Sequence, residues 1–100
     1  MSAYLIVQAT VTDWPKFQAY IDVVPALVEK FGGTYIVMGG DPELIEGERI
    51  SQSIVMSQWP SKAAAKLFWQ SQEYQAAISL RAGTGEFHVM LVDGLSTEQL

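Results

Sequence analysis

The sequence predicts an α+β domain of order βαββαβ, with a four-stranded antiparallel sheet and both helices on one face. Three observations carry this expectation. Two segments repeat apolar residues at helical spacing. Four short β-prone runs flank and separate them. Two glycine pairs, Gly32-Gly33 and Gly39-Gly40, stand where a helix ends and where a strand turns.

The first run, Tyr4 to Val11 (YLIVQATV), breaks at Thr12-Asp13. Leu5, Val7, Ala9 and Val11 make one apolar face, whereas Tyr4, Ile6, Gln8 and Thr10 make a mixed one. Asp13 is a favourable N-cap, and Pro15 falls in the first helical turn, where its missing N–H costs nothing. Phe17, Tyr20, Ile21, Val24, Leu27, Val28 and Phe31 then recur at the spacing of an amphipathic helix. Pro25 is expected to kink it by removing the bond to the Ile21 carbonyl. Gly32 ends it, because glycine accepts the left-handed conformation.

TYIVM, residues 34 to 38, is the second strand, and Gly39-Gly40 with Asp41-Pro42-Glu43 turns the chain. A third strand is expected over Arg49–Trp59. Pro60 and Ser61 open a second helix, KAAAKLFWQ, with Ser61 as N-cap. Ser71 caps a further turn or two, in which Tyr74, Ala77, Ile78 and Arg81 share a face. AGTG closes that segment, and Glu86–Val92 is the last strand. Residues 1–94 therefore read as a single ferredoxin-like domain and residues 95–100 as a polar tail, with Leu95 and Leu100 able to dock on a neighbour.

A sheet covered on one face leaves the other bare. With Leu5, Val7, Ala9, Val11, Phe87, Val89 and Leu91 under the helices, Tyr4, Ile6, His88, Met90 and Val92 face outwards. That surface is too apolar to stay wet, and a second copy of the chain across a two-fold axis is the simplest cover. A homodimer through the open sheet face is thus expected.

Composition narrows the function. The chain has 100 residues, 49% hydrophobic and 17% charged, with 11 acidic against 6 basic residues and a net charge of −5. The basic residues are scattered, so there is no stripe to neutralise phosphates, and nucleic acid and anionic membranes are disfavoured as partners. Cysteine is absent, which removes thiolate chemistry and suits a cytoplasmic location. The N-terminus lacks the basic region and cleavage site of a signal peptide, and no apolar run approaches the ~18 residues of a membrane span. A phosphate loop runs strand, glycines, helix; here the order is helix, glycines, strand. The carboxylates Asp41, Glu43, Glu46 and Glu48 lack the spacing of a calcium loop and read as a solvated turn. No nucleotide fingerprint and no Gly-x-Ser-x-Gly element are present, and no cofactor is expected.

The segments FQAYIDVVPALVEKFGGTYIVMGG, IEGE, WPSKAAA, FWQSQEYQAAISLR and VDG together resemble the domain of unknown function 1330 family, within the dimeric α+β barrel superfamily. The resemblance spans nearly the whole chain. It implies a dimer whose sheets face one another around a cavity. The superfamily also holds cofactor-independent monooxygenases, muconolactone-isomerase-like enzymes and haem-binding chlorite dismutases, so it does not transfer a reaction. Arg81 and Glu46 match the family pattern. Thr34 and Met38 stand where many members have arginines, and Gln58 stands where many have an acid.

His88, the only histidine, suits general acid–base work near neutral pH, against the alternative of a hydrogen-bonded interface residue. One histidine is too few for zinc. Arg81, in an apolar stripe, suits two-toothed binding of a carboxylate, or an ion pair with Glu46 or Glu86. Trp59, Trp69, Phe68 and Tyr74 would line a pocket for a planar ligand, or simply form core. Tyr4, Tyr35 and Gln8 would add polar anchors, and Glu46 joins the substrate-binding set on the resemblance. The resulting expectation is a homodimeric protein that binds a small carboxylated or aromatic molecule in a cavity of the dimer, between sheet and helices. It would act as a cofactor-independent monooxygenase- or isomerase-like enzyme, with His88 moving a proton and Arg81 orienting an anion. Two other readings compete: a non-catalytic homodimeric binding or assembly module, and a haem enzyme with His88 as axial ligand.

Overall fold

The computed structural model describes residues 2–48 and 51–95. Its elements run β1 (Ala3–Val11), α1 (Trp14–Lys30), β2 (Thr34–Gly39), β3 (Ser53–Trp59), α2 (Lys62–Gln70), α3 (Gln72–Ile78), a 3-10 turn (Ser79–Arg81) and β4 (Gly85–Asp93). The strands form one antiparallel sheet in the order β2-β3-β1-β4. This is the expected βαββαβ arrangement. The third strand begins at Ser53 rather than at Arg49; Arg49 and Ile50, on which that expectation partly fell, lie outside the described residues, as does Leu100.

Capping places the helices. The Asp13 carboxylate accepts from the Lys16 N–H at 3.1 Å and starts α1. At the other end Gly33 N donates to Val28 O at 2.8 Å and Gly32 N to Glu29 O at 3.1 Å, a paired C-terminal cap that needs the positive φ of Gly32, 93°. The helix runs unbroken through Pro25, which lies on its exposed face. There the Ile21 carbonyl left without a donor can meet water, so the residue is tolerated. Ser61 caps α2 by accepting from Ala64 N at 3.1 Å. Ser71 bonds in both directions: its hydroxyl donates to Phe68 O at 2.7 Å and accepts from Tyr74 N at 3.1 Å. One side chain thereby ends α2 and begins α3.

The sheet phase is the expected one. Leu5, Ala9 and Val11 are buried under the helices, whereas Glu86, His88, Met90 and Val92 are exposed on the other face. Register places Tyr4 opposite Val92, Ile6 opposite Met90 and Gln8 opposite His88. On the other side of β1, Ile6 meets Met56 and Gln8 meets Ile54. Strand β2 shifts register between Tyr35 and Val37, a bulge at the sheet edge.

The core is largely aromatic. Phe68, 1% exposed, lies between Trp59 at 4.9 Å and Tyr74 at 4.5 Å, centroid to centroid, with Phe31 edge-on at 6.0 Å. Val24, Val28, Ala65 and Ala77 fill the remaining space, and Ile21, expected in this stripe, sits at its exposed margin. The Trp59 indole N–H donates to Ser57 Oγ at 2.8 Å, so the buried ring keeps no unpaired polar atom.

Gly33 lies flat against that indole: a Cβ there would fall 2.6 Å from Trp59 Cζ2. We expect Gly33→Ala to destabilise the fold by about 1–3 kcal/mol, the usual range for overpacking a core. Urea unfolding should show a lower midpoint with an unchanged slope; an unaltered midpoint would mean that Trp59 has room to withdraw.

Candidate functional site

A cavity of about 280 Å³ opens between α2 and the sheet, within one protomer. The sheet contributes Leu5 from β1 and Val89 and Leu91 from β4. Helix α2 contributes Ala65, Lys66, Trp69 and Gln70, which fall on one face by helical spacing. The walls are thus mostly apolar, with an amine and an amide at the rim. The volume sits at the lower end of the range for small-molecule sites, room for one or two fused rings.

Behind the Trp69 wall lies a group of phenols. The Trp69 and Tyr74 rings are 4.9 Å apart, and Tyr74 Oη and Tyr20 Oη share a hydrogen bond of 2.8 Å. Arg81 closes the group. Its guanidinium stacks over Phe87 at 4.3 Å and over Tyr20 at 5.4 Å. The Arg81 backbone is held by the turn that follows, where Thr84 N and Thr84 Oγ1 both donate to the Arg81 carbonyl. Thr84 O in turn accepts from the backbone of Thr12 and Asp13 at the start of α1. Among the described residues Arg81 has no carboxylate partner: Lys30 pairs with Glu73 and Lys62 with Asp93, whereas Glu46 and Glu86 are solvent-exposed.

Burial sets the electrostatics here. It pushes the Tyr74 phenol well above its ordinary value, with a smaller push from the charge on Tyr20 and their shared hydrogen bond, and with Arg81 pulling the other way. Burial likewise moves Tyr35 up to about 12, again with a contribution from Tyr20.

The residues singled out from sequence divide into three places. Trp69 lines the cavity, and Tyr74 and Arg81 lie just behind it. Trp59, 1% exposed and packed on Gly33 and Phe68, is core. Tyr4, Gln8 and His88 sit on the opposite face of the sheet, and Glu46 is exposed in the β2–β3 connection. His88 and Arg81, paired in the sequence reading, are therefore not brought together within a protomer: Arg81 stacks on Phe87, and successive strand residues point to opposite faces. His88 has no hydrogen bond or ion pair among the described residues. Lys66, Gln70 and Tyr20 were missed. The signal for the first two was helical spacing along α2: Lys66 stands three residues before Trp69, and Gln70 four residues after Lys66. Among the described residues no three His, Cys, Asp or Glu side chains gather to hold a metal, and no helix is long and apolar enough to cross a membrane.

The phenols give a test by pH. A phenol whose pKa is raised on folding keeps its proton where the unfolded chain releases it. Its stabilising effect is complete below the unfolded value of about 10 and is lost as pH rises through the folded value. We expect stability to fall from pH 10 upwards. Absorbance at 295 nm should show Tyr35 and Tyr74 ionising late, together with unfolding, and Tyr74→Phe should remove part of that slope. Four phenols titrating together near pH 10 in the folded protein would contradict the burial described here.

Comparison with known proteins places this geometry. A protein of unknown function from Rhodopseudomonas palustris superposes with a TM-score of 0.78 at 15% identity, covering 95% of this chain and 83% of that one. SnoaB, a cofactor-independent oxygenase from Streptomyces nogalater, gives 0.69 at 11% identity over 96% and 95%. A dimeric protein of unknown function with a ferredoxin-like fold, from Bacteroides fragilis, gives 0.63 at 13% identity over 93% and 96%. At such identities the likeness shows the fold. No curated protein matches the chain significantly. The family model described as domain of unknown function DUF1330 matches residues 2–95, and the chain belongs to that family.

Proposed function

We propose that the protein is a homodimer, closed through its open sheet faces, that binds a small aromatic or carboxylated molecule in the cavity under α2. The cavity carries this reading: an apolar slot walled by Trp69 and three aliphatic side chains of the sheet, with polar groups only at its rim, suits a flat ring system. The dimer is supported by the open face, where Met90 is 46% and Val92 38% exposed beside Ile6, Ile54 and Met56. A contiguous apolar surface of this kind favours association. One structural neighbour is itself described as dimeric. The sequence reading expected the molecule in a cavity of the dimer, between sheet and helices; the cavity under α2 supports a site on the helix side of each protomer.

A second reading, turnover without a bound cofactor, is favoured by one observation: the Tyr20–Tyr74 hydroxyl pair stands directly behind the cavity wall. The shared fold with an oxygenase described as cofactor-independent makes dioxygen the co-reactant to test. Against it, among the described residues Lys66 is the only titratable side chain on the cavity wall itself.

We expect light scattering at micromolar concentration to give twice the 11.0 kDa chain mass. Naphthalene-2-methanol, a neutral bicyclic probe, should bind with micromolar to millimolar affinity. Ala65→Leu, which projects into the cavity, should abolish that binding while the dimer persists. His88→Ala should leave it unchanged. Binding that survives Ala65→Leu would place the ligand elsewhere, and a monomer would remove the role given to the open face. Oxygen consumption with bound phenolic probes distinguishes turnover from binding alone.

A further inference from the structure

We infer that the cavity under α2 selects negative charge at its mouth through Lys66, so that its ligand is a flat apolar molecule whose carboxylate stays at the rim. This rests on the cavity reading above and names the class of molecule the cavity takes.

The sorting of charges around the cavity points this way. Among the described residues the wall holds one charged side chain, Lys66, and no acid. That runs against the balance of the chain, which has 11 acidic and 6 basic residues. The carboxylates that flank the wall along the chain are engaged or face elsewhere. Asp93 follows the wall residue Leu91 by two on the same strand face, and Lys62 pairs with it at 3.4 Å. Glu73, four residues beyond Trp69, pairs with Lys30 of α1. Glu86, three residues before Val89, points to the opposite face of the sheet. Of these three lysines Lys66 alone has no carboxylate partner among the described residues.

The polar groups of the wall add to this. An ammonium and an indole N–H only donate hydrogen bonds, and neither Lys66 nor the Trp69 indole has an acceptor among the described residues. Gln70, one turn beyond Lys66 on the same face of α2, carries an amide that is also unpaired there and can donate to a second oxygen. The carbonyls at the C-terminal end of α2, which would favour a cation, are engaged: Phe68 O accepts from Ser71 Oγ at 2.7 Å and Trp69 O from Gln75 Nε2 at 2.6 Å. The interior offers nothing to an ion. Leu5, Ala65, Val89 and Leu91 are aliphatic, and a charge among them would be desolvated without a partner. The ring system therefore occupies the interior, and the carboxylate remains at the mouth, where Lys66 and water share it. One cation offsets one charge, which suits a carboxylate rather than a doubly charged phosphate ester.

The test compares three probes that share one ring system: 2-naphthoate, naphthalene-2-methanol and protonated 2-naphthylmethylamine. Isothermal titration calorimetry at pH 7 and low ionic strength reads their affinities. The native protein should bind the carboxylate about two- to fivefold more tightly than the alcohol, the range for one solvated charge pair, and the ammonium least tightly. That preference should shrink towards parity in about 0.5 M sodium chloride. Lys66→Met, which keeps the apolar stem, should level the carboxylate and the alcohol while the alcohol's affinity stays within about twofold. Lys66→Glu should invert the order, with the ammonium first. Position 66 is exposed and both replacements are good helix formers, so both variants are expected to fold. Equal binding of the three probes by the native protein, a preference that survives Lys66→Met, or loss of the neutral probe in both variants would each overturn the proposal. Binding of the alcohol to the native protein keeps the cavity reading intact in all three cases. Failure of every probe to bind the native protein would overturn the two together.

Discussion

Both helical segments of this chain pack against the same face of a single sheet, and the molecule has one interior layer as a result. Its extents, 44 × 38 × 16 Å, are those of a slab. A slab has little depth in which to bury side chains, so the interior is filled by large rings in stacked, tilted and edge-on contact: Trp59, Phe68, Tyr74, Tyr20, Phe17 and Phe87 form a nearly continuous series. Rings of this size bury much area per residue and fix one another's orientation. The same shortage of depth explains the polar groups within. A tyrosine that reaches across the layer brings its hydroxyl along, and Tyr20 and Tyr74 satisfy each other through their shared hydrogen bond.

One-sidedness also sorts the chemistry. Groups on alternate residues of β1 and β4 are divided between two environments that do not communicate through the sheet. The helix side holds the cavity, the phenols and Arg81. The open side holds His88, Gln8 and a field of aliphatic and thioether groups whose natural complement is another such field.

The element order, the caps at Asp13, Ser61 and Ser71, and the face presented by each strand were legible in the sequence. They depend on local chemistry: a short oxygen-bearing side chain before a helix, a glycine after it, an alternation of two. The site was legible only in part. Trp69, Tyr74 and Arg81 stood out as large or charged side chains in apolar stripes. Whether a stripe residue lines a space or fills one is settled by neighbours distant in sequence, such as Gly33 against Trp59. For that reason Trp59 and Trp69 looked alike in the sequence but differ in role. Within one protomer His88 and Arg81 lie apart for a related reason. Spacing along the chain says that residues 81 and 88 are close, but only the turn at Thr84 decides that one side chain lands over Phe87, on the face His88 turns away from.

Ser71 has a consequence beyond ending one helix and starting another. In an uninterrupted helix, residues five apart are separated by roughly 140° around the axis, so Trp69 and Tyr74 would look in different directions. The interruption at Ser71 resets the angular phase and brings both rings to the same point. A single hydroxyl thus works as a gear between two short cylinders, and the alignment of the cavity wall with the phenols behind it is set by a residue that does not itself line the cavity.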